Sequence, residues 1–265
     1  MPLRRDYPAD DIARHVEFVA QRSERDHPVV FRVAPAARVE ILFNFGDAWS
    51  IGETAQKLRC LENVDVLPAR RSTYWQSAGP HIEWLIVALT PLGCRSILGC
   101  ELAALWSDKI GPSFPLPQLF HEAHAVLQSE PDPDRRLRIA LELVRENIQA
   151  GMASEFLDAV HCARYEAVST VRSLSQSLGI GERQLRNRFS RSIGIGPKEY
   201  LGILRFNRHL AAIHPAPWIE ERQASCDEMY DESHAIREFR RHLGMTPAQY
   251  RKLKRTDESQ LIYVV

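Results

Sequence analysis

Residues 189–200 read FSRSIGIGPKEY, and residues 239–250 read FRRHLGMTPAQY. Both stretches have phenylalanine at the first position, isoleucine or leucine followed by glycine at the fifth and sixth, proline at the ninth and tyrosine at the twelfth. The two copies are offset by 50 residues. A fixed internal period indicates one supersecondary unit that is used twice. Each copy predicts a helix with a buried aromatic, an end of that helix at the glycine, and a new helix beginning at the proline.

The residues before the first copy complete a helix-turn-helix. A helix is predicted over residues 171–178, because its apolar residues recur at the three- and four-residue spacing of one helical face. Gly179-Ile180-Gly181 predicts the turn, since glycine adopts positive φ without strain. A second helix is predicted from Glu182, with Leu185 and Phe189 on its inner face. Helix, short turn and helix is the arrangement that places its second helix in a DNA groove.

The outward face of this second helix is expected to carry Arg183, Arg186, Asn187 and Ser190. Arginine and asparagine can pair with the edges of guanine and adenine in the major groove. The alternative is that these are only solvated residues of an amphipathic helix. A single helical hairpin would favour that alternative, whereas a repeated one favours DNA binding.

This region resembles the AraC/XylS family of transcription regulators. The resemblance is carried by Leu174-Ser175-x2-Leu178-Gly179-Ile180, Glu182-Arg183-Gln184-Leu185-x3-Phe189, Gly194-x2-Pro197-x2-Tyr200-Leu201-x3-Arg205, Tyr230-Asp231-x2-His234-x4-Phe239-Arg240 and Gly244-Met245-Thr246-Pro247-x2-Tyr250-Arg251. It covers roughly the last hundred residues. It implies two helix-turn-helix units joined by a linker helix over about residues 198–213. It also implies that both recognition helices enter successive major grooves on one face of the DNA.

The second copy departs from the family pattern. The departures are at Gln223, Glu228, Met229 and Ala235, where the family has an apolar residue, a glycine, an aromatic and a buried phenylalanine. Its recognition helix would present Ser233, His234 and Arg237 together with an acidic residue, Glu232. We therefore expect the first unit to supply most of the specificity and the second chiefly to hold register on the phosphate backbone.

Positive charge is concentrated around the first unit. The whole chain has 34 Lys and Arg against 34 Asp and Glu. Residues 1–168 hold 18 basic and 23 acidic side chains, whereas residues 169–265 hold 16 and 11. Within residues 169–210 the count is 8 against 2. This asymmetry places cationic side chains where a phosphate backbone would need them.

The first hundred residues predict a β-rich domain. Residues 7–19 are read as a short helix or an irregular lead-in. Strands are predicted over residues 39–45, 48–51, 58–61, 64–67 and 82–89. The first is expected to be half-buried because apolar and polar residues alternate, and the last to be central because it is almost wholly apolar. This pattern indicates a small barrel or sandwich. Residues 7–110 resemble, more weakly, the cupin-like sensor domains that precede AraC-type DNA-binding regions, through Val39-Glu40-Ile41-x2-Asn44-x-Gly46-Asp47.

We find no catalytic, cofactor-binding or metal-ligating residues to assign in this domain. Metal-binding cupins need clustered histidines, and only His81 lies near the strands. His121 and His124 have a spacing that could chelate zinc, but no third ligand is near, so two surface histidines are favoured. The interior is a candidate small-molecule pocket lined by aromatic residues, which fill ordinary cores equally often: Trp49, Tyr74, Trp75 and Trp84.

The compartment is expected to be the cytoplasm. The five cysteines form no C-x-x-C pair and fit buried thiols in a reducing compartment. Cys94 and Cys100 could form a redox or soft-metal pair, although packing is favoured. The first 15 residues are charged throughout, unlike a signal peptide, and no apolar run is long enough to span a membrane.

The sequence thus predicts an α+β regulator. The expected divisions are residues 1–112 (β-rich sensor domain), 113–164 (helical extension and linker), 165–255 (double helix-turn-helix) and 256–265 (C-terminal tail). In the extension, the apolar face of residues 137–148 is expected to pack on the barrel, with subunit pairing as the alternative. The expected partners are promoter DNA, RNA polymerase, a small-molecule effector and a second copy of the chain. The open alternatives are a barrel enzyme tethered to DNA and an N-terminal domain that only oligomerises.

Overall fold

The fold is α+β, with two facing antiparallel sheets in the N-terminal part and helices in the C-terminal part. The computed structural model describes residues 4–8, 11–25, 28–107, 114–162, 170–213, 232–256 and 262–263. The two-sheet domain agrees with the predicted barrel or sandwich, and the helical C-terminal part agrees with the predicted helix-turn-helix domain.

Ten strands lie within the described residues and form two five-stranded sheets. They are β1 (Arg4–Asp6), β2 (Val16–Arg25), β3 (Val29–Val33), β4 (Val39–Asn44), β5 (Trp49–Thr54), β6 (Lys57–Cys60), β7 (Val64–Leu67), β8 (Tyr74–Ala78), β9 (His81–Leu89) and β10 (Ile262–Tyr263). The first sheet has the order β1-β2-β9-β4-β7 and the second β10-β3-β8-β5-β6. The pairing of β10 with β3 is parallel and brings the C-terminal end of the chain onto the N-terminal domain.

The first sheet is buried on both faces. Along β4, Leu42 faces the second sheet in a core with Trp49 and Ile51, whereas Ile41 and Phe43 face the helices. The prediction that this strand is half-buried is wrong, because all six of its residues are buried. Apolar and polar residues alternate along β4, but both faces of the strand are covered. Glu40 and Asn44 are therefore buried although they are polar.

The lead-in and the end of β9 also differ from the expectation. A 3₁₀ turn occupies Asp11–Arg14, but β2 begins at Val16 and pairs along its length with β9. Residues 16–19 are therefore strand rather than helix or irregular lead-in. After β9 comes helix α1 (Pro91–Leu98). Thr90 is its N-cap, and the Thr90 hydroxyl accepts a hydrogen bond from the amide of Gly93. The sequence predicted the strand that ends at residue 89 but not the helix that follows it.

Three helices follow and cover the outer face of the first sheet. They are α2 (Gln118–Ser129), α3 (Pro133–Glu146) and α4 (Glu155–Cys162), and all three lie in the stretch predicted as a helical extension, residues 113–164. Leu137 and Val144 of α3 are buried in the same core as β4 and β9. The predicted apolar face of residues 137–148 therefore packs within the chain. Residues 114–117 precede α2 without helix or strand, and residues 108–113 lie outside the described residues.

The C-terminal helices reproduce the internal repeat. They are α5 (Val171–Ser177), α6 (Glu182–Arg188), α7 (Pro197–Ile213), α8 (Glu232–Leu243) and α9 (Pro247–Thr256), and a π-helical turn, Phe189–Ile193, extends α6. In each copy the proline is the first residue of the helix that follows the glycine: Pro197 begins α7 and Pro247 begins α9. The linker helix, expected over about residues 198–213, is α7.

Candidate nucleic-acid interface

Helices α5 and α6 form the first helix-turn-helix unit. Thr170 caps α5 by accepting a hydrogen bond from the amide of Ser173 at 3.0 Å, and the Ser173 hydroxyl bonds back to Thr170. In the turn, Gly179 has φ +61°. Gly181 has φ −70° and serves as the N-cap of α6. Only the first of the two glycines therefore uses the left-handed conformation that the sequence suggested for the turn.

All four residues predicted for the outward face of α6 are exposed. Arg183, Arg186, Asn187 and Ser190 recur at three- and four-residue spacing, whereas Leu185 is buried on the opposite side. Arg186 lies 3.7 Å from Glu182 in an i,i+4 ion pair between exposed side chains. Such a pair contributes at most about 0.5 kcal/mol. The guanidinium can therefore exchange Glu182 for another acceptor at small cost.

The core beneath α6 comes from three parts of the chain. The Phe189 ring lies edge-on to Phe156 of α4 at 5.6 Å and to Tyr200 of α7 at 5.5 Å. The Tyr200 hydroxyl donates to the carbonyl of Val160 at 3.4 Å. Arg188 lies over the Phe156 ring at 5.8 Å. Helix α4, which precedes the repeat in sequence, therefore contributes to the core of the first unit.

The two copies of the repeat end their helices differently. In the first, the amide of Gly194 donates to the carbonyl of Phe189, five residues back, at 2.8 Å. In the second, the amide of Gly244 donates to Arg240, four residues back, at 3.0 Å. Both glycines have positive φ, +87° and +72°. The wider turn in the first copy is the type that is frequent at functional sites.

The second unit packs on the linker helix. Phe239 lies edge-on to Phe206 of α7 at 5.2 Å and to Tyr250 of α9 at 5.9 Å. Arg237 is exposed on α8. Ser233, His234 and Ala235 lie on α8, but their side chains lie outside the described residues. Gln223, Glu228 and Met229 lie outside them as well, so the departures from the family pattern stay predictions.

An ionic network joins α8 to α7. The carboxylate of Glu238 lies 3.6 Å from the guanidinium of Arg205 and 3.6 Å from the imidazole of His242. The nearby imidazole of His242 is the main cause that holds the pKa of Glu238 below its ordinary value, and Arg205 adds to it. The His242 ring lies 4.8 Å from that of Phe206. The second unit is thus tied to the linker helix by charge as well as by apolar contact.

The interior of the two-sheet domain combines aromatic and charged residues. Trp49 and Trp84 are buried with their rings 6.0 Å apart, and Tyr74 borders the same core. Trp75 does not line this interior. It alternates with Tyr74 along β8, so it lies on the other face of the sheet, where Arg32 lies 5.5 Å above its ring.

Buried charges lie beside this aromatic core. Arg38 donates to Glu40 at 2.8 Å, and Arg70 lies 4.0 Å from the other oxygen of Glu40. Burial lowers the pKa of Arg70, although Glu40 opposes that shift. The Nε of Arg70, Oε2 of Glu40 and Oε1 of Gln76 are buried without a hydrogen-bond partner in the protein. Unpaired buried polar atoms are costly and so indicate a strained or functional region.

The histidine and cysteine candidates fall outside this group. His124 contacts the carbonyl of Asn44 at 2.7 Å and the ring of Phe45 at 5.1 Å, whereas His121 is exposed. Among the described residues, no group of three or more His, Cys, Asp or Glu could hold a metal ion. Cys94 and Cys100 are free thiols, and burial raises the pKa of both. Among the helices that the structure describes, none is long and apolar enough to cross a membrane.

Two residues that sequence reasoning missed join the domains. Trp106 donates through Nε1 to the carbonyl of Ile193 at 2.6 Å, and Arg71 donates to the carbonyl of Gly194 at 3.3 Å. Nothing in their sequence neighbourhood marks them. They contact a segment about ninety or more residues away, and only the folded chain brings the two together.

Comparison with known families places the repeat. Residues 174–253 match the family described as helix-turn-helix domain. This match spans both copies, from Leu174 of α5 to the middle of α9. No curated protein matches the chain in sequence.

Several solved structures are similar to this chain at low sequence identity. Apo ToxT from Vibrio cholerae gives a TM-score of 0.47 at 9% identity, covering 88% of this chain and 96% of that one. Another ToxT structure from Vibrio cholerae gives 0.45 at 11% identity, covering 95% and 98%. The AraC-like transcriptional activator CuxR gives 0.32 at 12% identity, covering 79% and 86%.

Proposed function

We propose that this chain, a DNA-binding transcription regulator with the helix-turn-helix domain of AraC/XylS proteins, reads its operator mainly through the exposed face of α6. The observation that carries the proposal is that Arg183, Arg186, Asn187 and Ser190 share one exposed face above a buried aromatic core. A rigid core fixes the direction of these side chains, which direct readout of bases requires.

The second unit would chiefly hold register. Arg237, Arg240 and Arg251 are exposed on α8 and α9, where they can contact phosphates. Ser233 and His234, with Arg237, are the residues proposed to face DNA on this unit. Phosphate contacts orient a protein on the duplex without carrying sequence information directly. One informative half-site and one weakly informative half-site are therefore expected in the operator.

The N-terminal domain would control the regulator through a small-molecule effector. The support is a set of buried polar residues, Arg38, Glu40, Arg70 and Gln76, in the domain that also buries Trp49 and Trp84. Several polar atoms of this set have no partner in the protein. A ligand with an apolar body and a polar end fits such surroundings. Control through a second copy of the chain, contact with RNA polymerase and a cytoplasmic location belong to the same proposal, as does the division at residues 112, 164 and 255.

The test is selection of DNA by the full-length chain from a random duplex pool. The expected result is enrichment of one sequence, bound with an affinity that falls steeply as salt rises, because the basic side chains displace counterions from phosphates. Enrichment of no sequence would contradict the proposal. A Ser233→Ala/Arg237→Ala variant that enriches the same sequence as the parent would support the lesser role of the second unit.

A further inference from the structure

The end of the first recognition helix is held by the N-terminal domain. Carbonyls in the last turn of a helix lack partners within the helix. Here the carbonyls of Ile193 and Gly194 receive hydrogen bonds from Trp106, at 2.6 Å, and Arg71, at 3.3 Å. The cation of Arg71 is also suited to the negative end of the helix dipole. Both donors come from the other domain.

The donors form one assembly within the N-terminal domain. Trp106 is fully buried, and Arg71 lies over its ring at 5.4 Å. The backbone on either side of Trp106 is bonded to Ala69, through Leu105 at 2.9 Å and Ser107 at 2.8 Å. Arg71, two residues after Ala69, is therefore fixed relative to Trp106. We call Arg71 and Trp106 together the clamp.

The internal repeat supplies a comparison within the chain. A side chain built on Gly194 would meet the Cα of Ala103 at 2.7 Å and the Nε1 of Trp106 at 2.9 Å. At the equivalent position of the second copy, Gly244, nothing lies within 4 Å. The wide π turn is likewise confined to the first copy. The two helix ends thus share a sequence pattern but differ where the N-terminal domain makes contact.

The linker helix is held by the same domain at a second point. Asn207 of α7 donates through Nδ2 to the carbonyl of Pro35 at 2.9 Å. The adjacent Ala34 packs in the core of Phe206, Phe239 and Tyr250. The N-terminal domain therefore contacts the first unit through the clamp and the second unit through Ala34. Both contacts leave Arg183 and Arg186 exposed.

We propose that Arg71 and Trp106 are positioning residues, which set the placement of the first recognition helix relative to the second so that both reach successive grooves. This inference rests on the proposed function, because it concerns how the domain that reads DNA is held. The clamp acts through the carbonyls of Ile193 and Gly194. It touches no DNA itself.

The test compares full-length variants in two measurements. Trp106→Phe replaces the indole by a smaller aromatic ring that lacks the donor to Ile193, and Trp75→Phe, which makes the same change in size, is its control, since Trp75 lies outside the contact. Gly194→Ala introduces the clash, and Gly244→Ala carries the same positive-φ strain without it. The first measurement is amide hydrogen exchange over residues 186–196. The second is affinity for the selected duplex and for a scrambled one.

The expected result is exchange about fivefold faster in Trp106→Phe, in line with one lost hydrogen bond, and affinity for the selected duplex about fivefold lower. Affinity for the scrambled duplex should stay unchanged. This duplex serves as a control, because a general loss of folding would lower the affinity for both duplexes. Gly194→Ala should behave in the same way as Trp106→Phe. Trp75→Phe should show neither effect, and Gly244→Ala should leave amide exchange over residues 186–196 unchanged.

Unchanged exchange in Trp106→Phe would overturn the clamp. Faster exchange with equal losses on both duplexes, or with none, would overturn the positioning role. If Trp106→Phe does not fold, Arg71→Gln carries the same comparison, because it leaves the buried ring in place. A parent chain that enriches no sequence would refute the proposed function, and the exchange result would still show whether Trp106 holds the helix.

Discussion

At the scale of single residues, the exposed face of α6 carries the side chains proposed to pair with base edges. Arg186 forms an ion pair with Glu182 in which both side chains are exposed. Its loss should therefore leave the fold intact and affect DNA alone. This separation of stability from recognition makes the residue a sharp test of the reading face.

Arg186→Ala is expected to weaken binding to the selected operator by about 1–3 kcal/mol and to relax preference at one base pair. Affinity for a panel of operators with single base changes measures this. Arg138→Ala removes the same charge from the exposed side of α3 and should change nothing. Equal weakening on every duplex would instead identify Arg186 as a phosphate contact.

Glu238 makes the stability of the second unit depend on pH. Its pKa in the folded chain lies below the ordinary value of 4.5, mainly because the imidazole of His242 is near and secondarily because Arg205 is near. A carboxyl with a depressed pKa adds stability above its unfolded pKa and loses it as pH falls through the folded value. Glu238→Gln should therefore be less stable than the parent at pH 7, and this difference should shrink below pH 4.5.

Urea unfolding of the parent and of Glu238→Gln at a series of pH values measures this difference. Glu122→Gln is the control, since Glu122 is exposed on α2. A difference between parent and Glu238→Gln that stays constant from pH 7 to pH 3 would contradict the expectation.

At the scale of elements, α4 belongs to the first unit as much as to the N-terminal domain. Phe156 supplies one of the two rings against Phe189, and Val160 accepts the hydroxyl of Tyr200. Arg14 of the N-terminal domain binds Asp158 on the same helix at 2.5 Å. Helix α4 thus contacts both the first helix-turn-helix unit and the N-terminal domain.

Phe156→Ala should destabilise the chain by about 3–5 kcal/mol, because it removes a buried ring and leaves a cavity beneath the recognition helix. Chemical unfolding measures the loss. Val126→Ala truncates an apolar side chain that is 54% exposed and should cost less than about 0.5 kcal/mol. Similar losses in the two variants would mean that Phe156 is not part of this core.

The elements that sequence could predict are those with a local signal. The repeat predicted α6 and α7, and the apolar run at residues 82–89 predicted β9. Strand β2 was misread at its start, because VEFVAQRSER changes from apolar to polar along its length and owes its conformation to pairing with β9. Burial of Glu40 was equally hidden, since it depends on Arg38 and on the second sheet.

At the scale of the whole molecule, the two domains share one apolar core. It runs from Val39 and Ile41 of β4 to Leu185 and Phe189 of α6. The outward face of α6 was predictable because it follows from spacing along a helix. The clamp was not, because Arg71 and Gly194 are 123 residues apart and meet only in the fold.

A fragment of residues 152–265 should unfold at a higher temperature than one of residues 165–265, since only the longer fragment retains Phe156 and Val160. Thermal unfolding followed by circular dichroism measures both. Adding residues 114–151 as well tests whether the gain comes from α4 in particular. Equal midpoints for the first two fragments would place α4 with the N-terminal domain alone.

The neighbouring residues Arg70 and Arg71 lie at the boundary between the two regions of the molecule. Arg70 lies in the buried charged group beside Glu40, and Arg71 holds the carbonyl of Gly194. A compound that binds Arg70 would therefore act on the residue next to Arg71, whose side chain contacts the end of the recognition helix. Thermodynamic reciprocity then requires that DNA binding change the affinity for that compound by the same factor by which the compound changes the affinity for DNA. The operator would act as an effector of the sensor domain.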